Sequence, residues 1–214
     1  IRARRSVRKY KKGEKIPAEH IRMMLEAAMS SPSAVNSRPW EFYVTERDEI
    51  KERLMQAHPA SRMLETASAA IIVCGRPDLQ PGHGFWPQDC GAAIENILLQ
   101  ATALGYGTCW CGCYPTEPRT SQVQEVLGCE SIPVAVVAVG VPDDSPARGG
   151  FTAEPRLNFI RHKTWGAAGA KKGRPAVSAY AKSKVQETNA DTSITPSTYT
   201  ISPPMNPRKQ DPAR

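Results

Sequence analysis

Nothing in the 214 residues comes near the roughly 18 consecutive apolar residues that a bilayer-spanning helix requires. The 15 Gly follow no collagen-like period, so a fibrous chain is excluded as well. Motifs that carry a mechanism of their own are also missing. Gly105, Gly107 and Gly112 do not spell GxGxxG and no strand leads into a phosphate-binding helix there, which argues against a Rossmann dinucleotide site. There is no GxxxxGK[ST] loop, no HExxH helix and no GxSxG elbow. His20, His58, His83 and His162 are scattered, and each is expected as a surface or capping residue rather than as a base or ligand. With the usual catalytic side chains wanting, a cofactor is expected to carry the chemistry.

Positive charge is in excess, at +7 overall, but it is unevenly spread. Residues 1–15 hold Arg2, Arg4, Arg5, Arg8, Lys9, Lys11, Lys12 and Lys15 against Glu14 alone, a local +7. Residues 167–214 carry +5, so the stretch between the two ends carries −5. A nucleic-acid interface sets Lys and Arg against successive phosphates, and an acidic body between two basic ends does not offer that surface. No nucleic-acid or membrane partner is therefore expected.

The six Cys fall at 74, 90, 109, 111, 113 and 129, behind a first segment that is charged rather than apolar. The expectation is no secretory leader, a reducing cytoplasmic setting and free, buried, structural thiols. Cys109-Trp110-Cys111-Gly112-Cys113 is a weak metal signal, because zinc sites pair a CxxC with a second knuckle and none is present. No metal is expected. The chain opens on Ile1 rather than Met, which leaves open a missing or processed start.

The pattern of apolar residues predicts a first helix over 18–29, with Ile21, Met24, Leu25 and Ala28 on one stripe. A strand follows over 40–45, then a charged helix over 47–57 with Ile50 and Leu54 inward. Residues 69–74 and 134–141 are continuous apolar runs bounded by Gly or Pro, the pattern of strands covered on both faces. Between them, Asp89 is a plausible N-cap for a helix over 89–104 whose apolar residues wrap most of its circumference. Such a helix lies in a core or in a subunit interface. A short helix over 118–127 follows, with Thr116 as candidate N-cap and Gly128 beyond its end. The alternation places the fold in the α/β or α+β class. After Trp165 the texture changes: residues 167–214 hold four Leu, Ile, Val or Phe against six Pro and ten Ser or Thr. A folded domain over 1–166 and a low-complexity, disordered C-terminal tail over 167–214 are expected.

Three clusters could carry function. In Arg4-Arg5-Ser6-Val7-Arg8, guanidinium forks and a hydroxyl fall within five residues, and an extended chain would turn 4, 6 and 8 to one face, suited to a phosphate. The plain alternative is a solvated basic arm. Residues 32–40, Pro-Ser-Ala-Val-Asn-Ser-Arg-Pro-Trp, form a turn-rich stretch of small and amide side chains that could equally be a helix-to-strand connection. Residues 105–112, Gly-Tyr-Gly-Thr-Cys-Trp-Cys-Gly, read as a glycine-punctuated loop after the apolar helix.

Taken in order, these clusters resemble the nitroreductase family of FMN-dependent oxidoreductases, from about Arg4 to Trp165. The likeness is carried by RxSxR at Arg4, Ser6 and Arg8, and by PSxxNxxPW at Pro32, Ser33, Asn36, Pro39 and Trp40. Trp86, Asp89, Ala93, Glu95, Asn96, Leu99, Ala101, Gly105, Gly107, Cys109 and Trp110 continue it, and Ile132-Pro133 leads into the Val-rich strand that ends it. The resemblance implies an α+β fold with a mixed central sheet flanked by helices, and an intertwined homodimer with two shared FMN sites. It implies that Arg4, Arg5, Ser6 and Arg8, with Arg156, hold the phosphate, ribityl chain and pyrimidine edge. Pro32, Ser33, Ala34 and Asn36 would come from the other subunit. Trp110, Cys111, Gly112 and Cys113 would lie along the flavin, with the main-chain N–H of Gly112 or Cys113 at N5.

The implied activity is NAD(P)H oxidation by a ping-pong scheme, hydride passing through flavin N5 to an electron-poor small-molecule acceptor such as a nitroaromatic or quinone. No individual catalytic side chain is implied. Two alternatives stand beside it: a non-catalytic flavin-binding or interaction module whose basic ends touch nucleic acid or anionic membrane, and other flavin chemistry such as reductive dehalogenation. Oxidation at Cys109, Cys111 or Cys113 near the flavin is a further possibility.

Overall fold

The computed structural model describes residues 1–143. Arg156, the boundary at 166 and the tail over 167–214 lie outside the described residues.

Four strands form one sheet in the order β1-β2-β4-β3: β1 (Trp40–Thr45), β2 (Ala69–Gly75), β3 (Gly107–Gly112) and β4 (Ile132–Gly140). Every neighbouring pair is antiparallel. The sheet is thus antiparallel among the described residues rather than mixed as expected, and the one parallel pairing there is an isolated bridge from Ser6 of the N-terminal arm to Thr108 of β3. β2 and β4 occupy the centre and are buried along nearly their whole length. That is why their sequences are continuously apolar rather than alternating.

One face of the sheet carries α1 (Ala18–Met29) and α3 (Trp86–Ala103), packed through Met24, Leu25, Ala28, Ile94, Ile97 and Leu98 against Ile71, Val73 and Val137. The other carries α2 (Asp48–Ala57) and α4 (Arg119–Leu127), which close a second core with Leu54, Leu64, Ile72, Val123 and Val136. The expected first helix and the strands at 40–45 and 69–74 fall where the pattern placed them. In the charged helix Leu54 is buried, whereas Ile50 is half-buried and packs at the edge of the second core. Gly128, at φ 62°, ends α4 with its N–H on the Gln124 and Glu125 carbonyls. Thr116 contributes its carbonyl rather than its hydroxyl, accepting from the Thr120 N–H.

Two expectations need correction. The helix expected over 89–104 begins at Trp86, so Asp89 is not its N-cap; its carboxylate instead holds a neighbouring loop. The stretch read as a loop over 105–112 is largely β3, whose alternation turns Cys109 and Cys111 into the second core, with Cys113 following.

The arm is fastened to the sheet at two glycines. Val7 donates its N–H to the Thr108 carbonyl at 2.8 Å, and a Cβ on Gly107 would lie 2.7 Å from the Val7 side chain. Further on, Tyr10 bridges to Pro142 and lies so close to Gly140 that a Cβ there would sit 2.8 Å from its ring.

Candidate functional site

β3 is an edge strand, and its register decides what that edge exposes. Cys113 donates its N–H to the Val134 carbonyl at 2.8 Å, and Cys111 lies opposite Val136 and Gly112 opposite Ala135. Because hydrogen-bonded and non-bonded pairs alternate in an antiparallel ladder, Gly112 directs its N–H and C=O away from β4. Of the two candidate donors, Gly112 is therefore the one facing the open edge, and the Cys113 N–H is committed to the ladder. Among the described residues, a Cβ placed on Gly112 would meet nothing within 4 Å. Trp110 and Tyr114 stand at alternate positions on either side of it, each 40% exposed. Tyr114 leans on Trp86 with ring centroids 4.7 Å apart.

The side chains of Cys111 and Cys113 point the other way, into the core, so these two residues offer the edge backbone only. All six thiols are free, five are buried and Cys129 is half-buried. A hydrogen bond with Cys111, and then the charge of Arg8, bring the Cys109 thiol down to about 7, with burial opposing. Among the described residues no three His, Cys, Asp or Glu converge as a metal site.

The arm lies along the first half of the same edge. Arg4 reaches α3 through a 3.4 Å ion pair with Glu95, while Arg8 is near enough for its charge to act on Tyr10, Cys109 and Cys111. Arg5 folds back on the Arg2 and Arg4 carbonyls, and Ser6 takes the bridge to Thr108. Arg4, Ser6 and Arg8 are thus on one strand edge, with Arg4 tied to α3.

The Pro32–Asn36 segment is built differently. Val35, Asn36 and Arg38 have φ of 49°, 53° and 50°, a region that non-glycine residues rarely occupy. Side chains keep it there. Asp89 accepts from the Ala34 N–H at 3.0 Å and from Gln80 Nε2 at 2.7 Å, and Ser33 Oγ accepts from the Arg38 N–H at 2.9 Å. Val35 is left 71% exposed at its tip and the Asn36 amide oxygen accepts from Arg38 Nε. A shallow depression beside it is lined by Pro32, Ser33, Ala34, Phe85, Gln88 and Ala92.

Within one chain the two basic and amide clusters do not meet in one place. Ala34 touches α3 at Asp89 and Arg4 touches it at Glu95. Six helical positions separate those contacts by about 9 Å along the axis and about 120° around it.

Sequence reading passed over several residues of this region. Gln80 carries no signal in the sequence, and Asp89, expected as an N-cap and as part of the resemblance, holds the strained loop with it. His58 was set aside as a surface or capping residue. It does end α2, but it is 1% exposed, and its Nε2 lies 2.9 Å from the Gly112 carbonyl oxygen. Arg119 Nη1 donates to the same oxygen at 3.0 Å. Burial, and then the Arg119 charge, push the His58 imidazole below its usual range, against the opposing pull of the Gly112 carbonyl. No local pattern announces these partners, because each comes from a different helix.

The nitroreductase family pattern matches residues 1–66 and 58–141. A protein of Archaeoglobus fulgidus with the provisional name NADH dehydrogenase/NAD(P)H nitroreductase is 43% identical over 170 residues, covering 77% of this chain and 96% of its own. A counterpart of the same provisional name from Methanothermobacter thermautotrophicus is 43% identical over 148 residues, 68% of this chain and 77% of its own. Among solved structures, one of that provisional name from Parabacteroides distasonis is 32% identical with a TM-score of 0.69, covering 76% of this chain and 95% of that one. A provisionally named nitroreductase of Desulfovibrio desulfuricans, solved with FMN, is 25% identical with a TM-score of 0.64, over 77% and 95% of the two chains. Fold and relatives together define an oxidoreductase enzyme. The chain belongs to the nitroreductase family.

Proposed function

We propose that the protein is an FMN-dependent oxidoreductase that oxidises NAD(P)H and reduces an electron-poor small molecule, a nitroaromatic, a quinone or a similar acceptor, by a ping-pong scheme. The observation that carries this reading is Gly112: an edge-strand N–H facing away from the ladder, open space where a side chain would be, and exposed Trp110 and Tyr114 on either side. A planar ring needs a flat approach and a main-chain donor at its edge, and this arrangement supplies both. The donor set suits the rest of FMN too, because Arg4, Ser6 and Arg8 belong to the arm that runs along the same edge, and a phosphate calls for charge-assisted bonds. Bound there, FMN would supply the hydride-accepting and hydride-donating centre at N5.

The chain's own residues then bind, orient and shelter. Arg4, Arg5, Ser6 and Arg8 hold the anionic end, with Arg156 as a further partner from outside the described residues. The Gly112 N–H meets the ring edge, and the peptide stretch from Trp110 through Cys111 to Cys113 forms the wall beside it. Pro32, Ser33, Ala34 and Asn36 serve the site of a second copy, which accounts for the distance between the arm and the strained loop within one chain. The functional unit is accordingly a homodimer with two shared sites.

The test is anaerobic mixing of the FMN-loaded protein with NADH and NADPH in turn, followed by a panel of acceptors. Bleaching of the flavin absorbance by either nicotinamide, and its return with a nitroaromatic or quinone, is the expected result. A flavin that neither nicotinamide bleaches would overturn the NAD(P)H-dependent reading and leave a flavoprotein fed by another electron donor. In parallel, Arg8→Ala should weaken FMN binding by about tenfold or more, as loss of a charge-assisted phosphate contact does.

A further inference from the structure

Gly112 is the least self-supporting residue of the proposed site. It has no side chain, it ends β3, and the backbone contacts of the arm with β3 are made farther back, at Thr108. Glycine has the widest backbone freedom of any residue, so a donor placed on it wanders unless its neighbouring peptide planes are held. The Gly112 N–H itself lies in the plane joining Cys111 to Gly112, which the ladder pair of Cys111 with Val136 holds on its other side. The plane that follows, joining Gly112 to Cys113, is held at both ends. Its N–H goes to the Val134 carbonyl at 2.8 Å, and its C=O accepts from His58 Nε2 at 2.9 Å and from Arg119 Nη1 at 3.0 Å. His58 arrives from the end of α2 and Arg119 from the first residue of α4, so two helices converge on one backbone oxygen.

The environment of His58 fits that task. The ring is all but fully buried and its Nδ1 has no hydrogen-bond partner among the described residues. A carbonyl can only accept, so Nε2 carries a proton, and burial disfavours a second one on Nδ1, which favours the neutral tautomer. A buried imidazole that leaves one nitrogen unsatisfied is unfavourable for packing alone, and a Leu or Phe would fill the space without that penalty.

We propose that His58 and Arg119 are positioning residues that clamp the Gly112 carbonyl and so keep the Gly112 N–H directed at a ligand on the open edge of β3. The flavin part of this rests on the reading of that N–H as the donor to FMN. The clamp itself is a property of the chain with or without the cofactor, and the two parts have separate readouts.

The experiment uses the full chain, labelled with nitrogen-15, and the variants His58→Phe, His58→Gln and Arg119→Ala, each checked for folding by circular dichroism. The first readout is amide hydrogen exchange at Cys113, whose N–H shares the clamped peptide, against Ile72 in the central strand. His58→Phe should speed exchange at Cys113 by about five- to tenfold relative to Ile72, as the loss of one net hydrogen bond does. His58→Gln, which keeps an N–H donor, should restore part of the protection. A purely space-filling His58 would instead shift both amides together or neither, and that result overturns the clamp. The second readout is the Gly112 amide resonance on adding FMN. It should move in the wild type and move less, with weaker FMN binding, in His58→Phe. If the wild-type resonance ignores FMN while Cys113 responds to His58→Phe, the clamp stands and the flavin role of Gly112 falls. If FMN moves Gly112 equally in all folded variants, the positioning role falls. Should His58→Phe not fold, Arg119→Ala and His58→Gln carry the same comparison.

Discussion

At Gly112, the same absence of a side chain serves folding and binding in opposite ways. Folding has no use for it, since a Cβ there meets nothing within 4 Å. Binding does, because the space belongs to the ligand. Gly112→Val should therefore leave the unfolding free energy from urea titration within about 0.5 kcal/mol of the wild type, the range of surface substitutions. FMN affinity should fall by more than about tenfold, which a flavin-fluorescence titration reads directly. His58 makes a different prediction. Its imidazole is held below its usual value near 6.5, so the unfolded chain takes up the proton more readily than the folded one. Its contribution to stability is complete above that value and is lost as pH falls through the folded pKa. Urea midpoints measured from pH 7 to pH 5 should decline, and His58→Gln should flatten part of the decline. A variant profile parallel to the wild type would place the titration elsewhere.

Among the elements, the N-terminal arm is the most exposed to single substitutions, because it is not a strand of the main sheet. It is held by the Val7–Thr108 and Tyr10–Pro142 contacts, each made possible by a glycine opposite. Gly107→Ala would drive a Cβ against Val7 Cβ and both its methyls, so the arm backbone, not merely a side-chain tip, has to move. The expected loss is about 1–3 kcal/mol of stability, typical of overpacking, with a parallel loss of FMN binding as Arg4 and Arg8 leave the edge. Calorimetry and FMN titration on one sample check both. The central strands and the helix at 18–29 were legible in the sequence because burial alone fixes their pattern: β2 and β4 are apolar on both faces and α1 on one stripe. β3 was not, since Gly107 and Gly112 bound it and its inward residues are cysteines, whose every-second spacing imitates a metal motif. The same limit applies to the site. Arg4, Ser33 and Asn36 were visible as clusters of chemistry, whereas Asp89, Gln80 and His58 act through contacts that only tertiary packing creates.

For the molecule as a whole, the net charge of +7 is the outcome of two basic ends on an acidic body, and the first end lies along the edge of β3 beside the site. In the proposed dimer the strained loop of one copy faces the arm of the other, and α3 offers a surface for that contact. Its inward stripe of Cys90, Ala93, Ile94, Ile97 and Ala101 is spent on the core, while Gly91, Ala92 and Leu99 are only half-buried. Leu99 belongs to neither core cluster, and Phe85 and Val35 stand 46% and 71% exposed near the helix start. Small and apolar residues left partly open beside the Arg4–Glu95 pair are what an interface of about 800 Å² per partner draws on. Leu99→Arg places a cation on that face without disturbing the core. Light scattering should then report a monomer where the wild type is a dimer, the circular dichroism spectrum should be retained, and FMN should be lost together with the partner's loop. A Leu99→Arg protein that stays dimeric and yellow would remove α3 from the interface, and a monomeric one that still binds FMN tightly would show that a single chain completes the site.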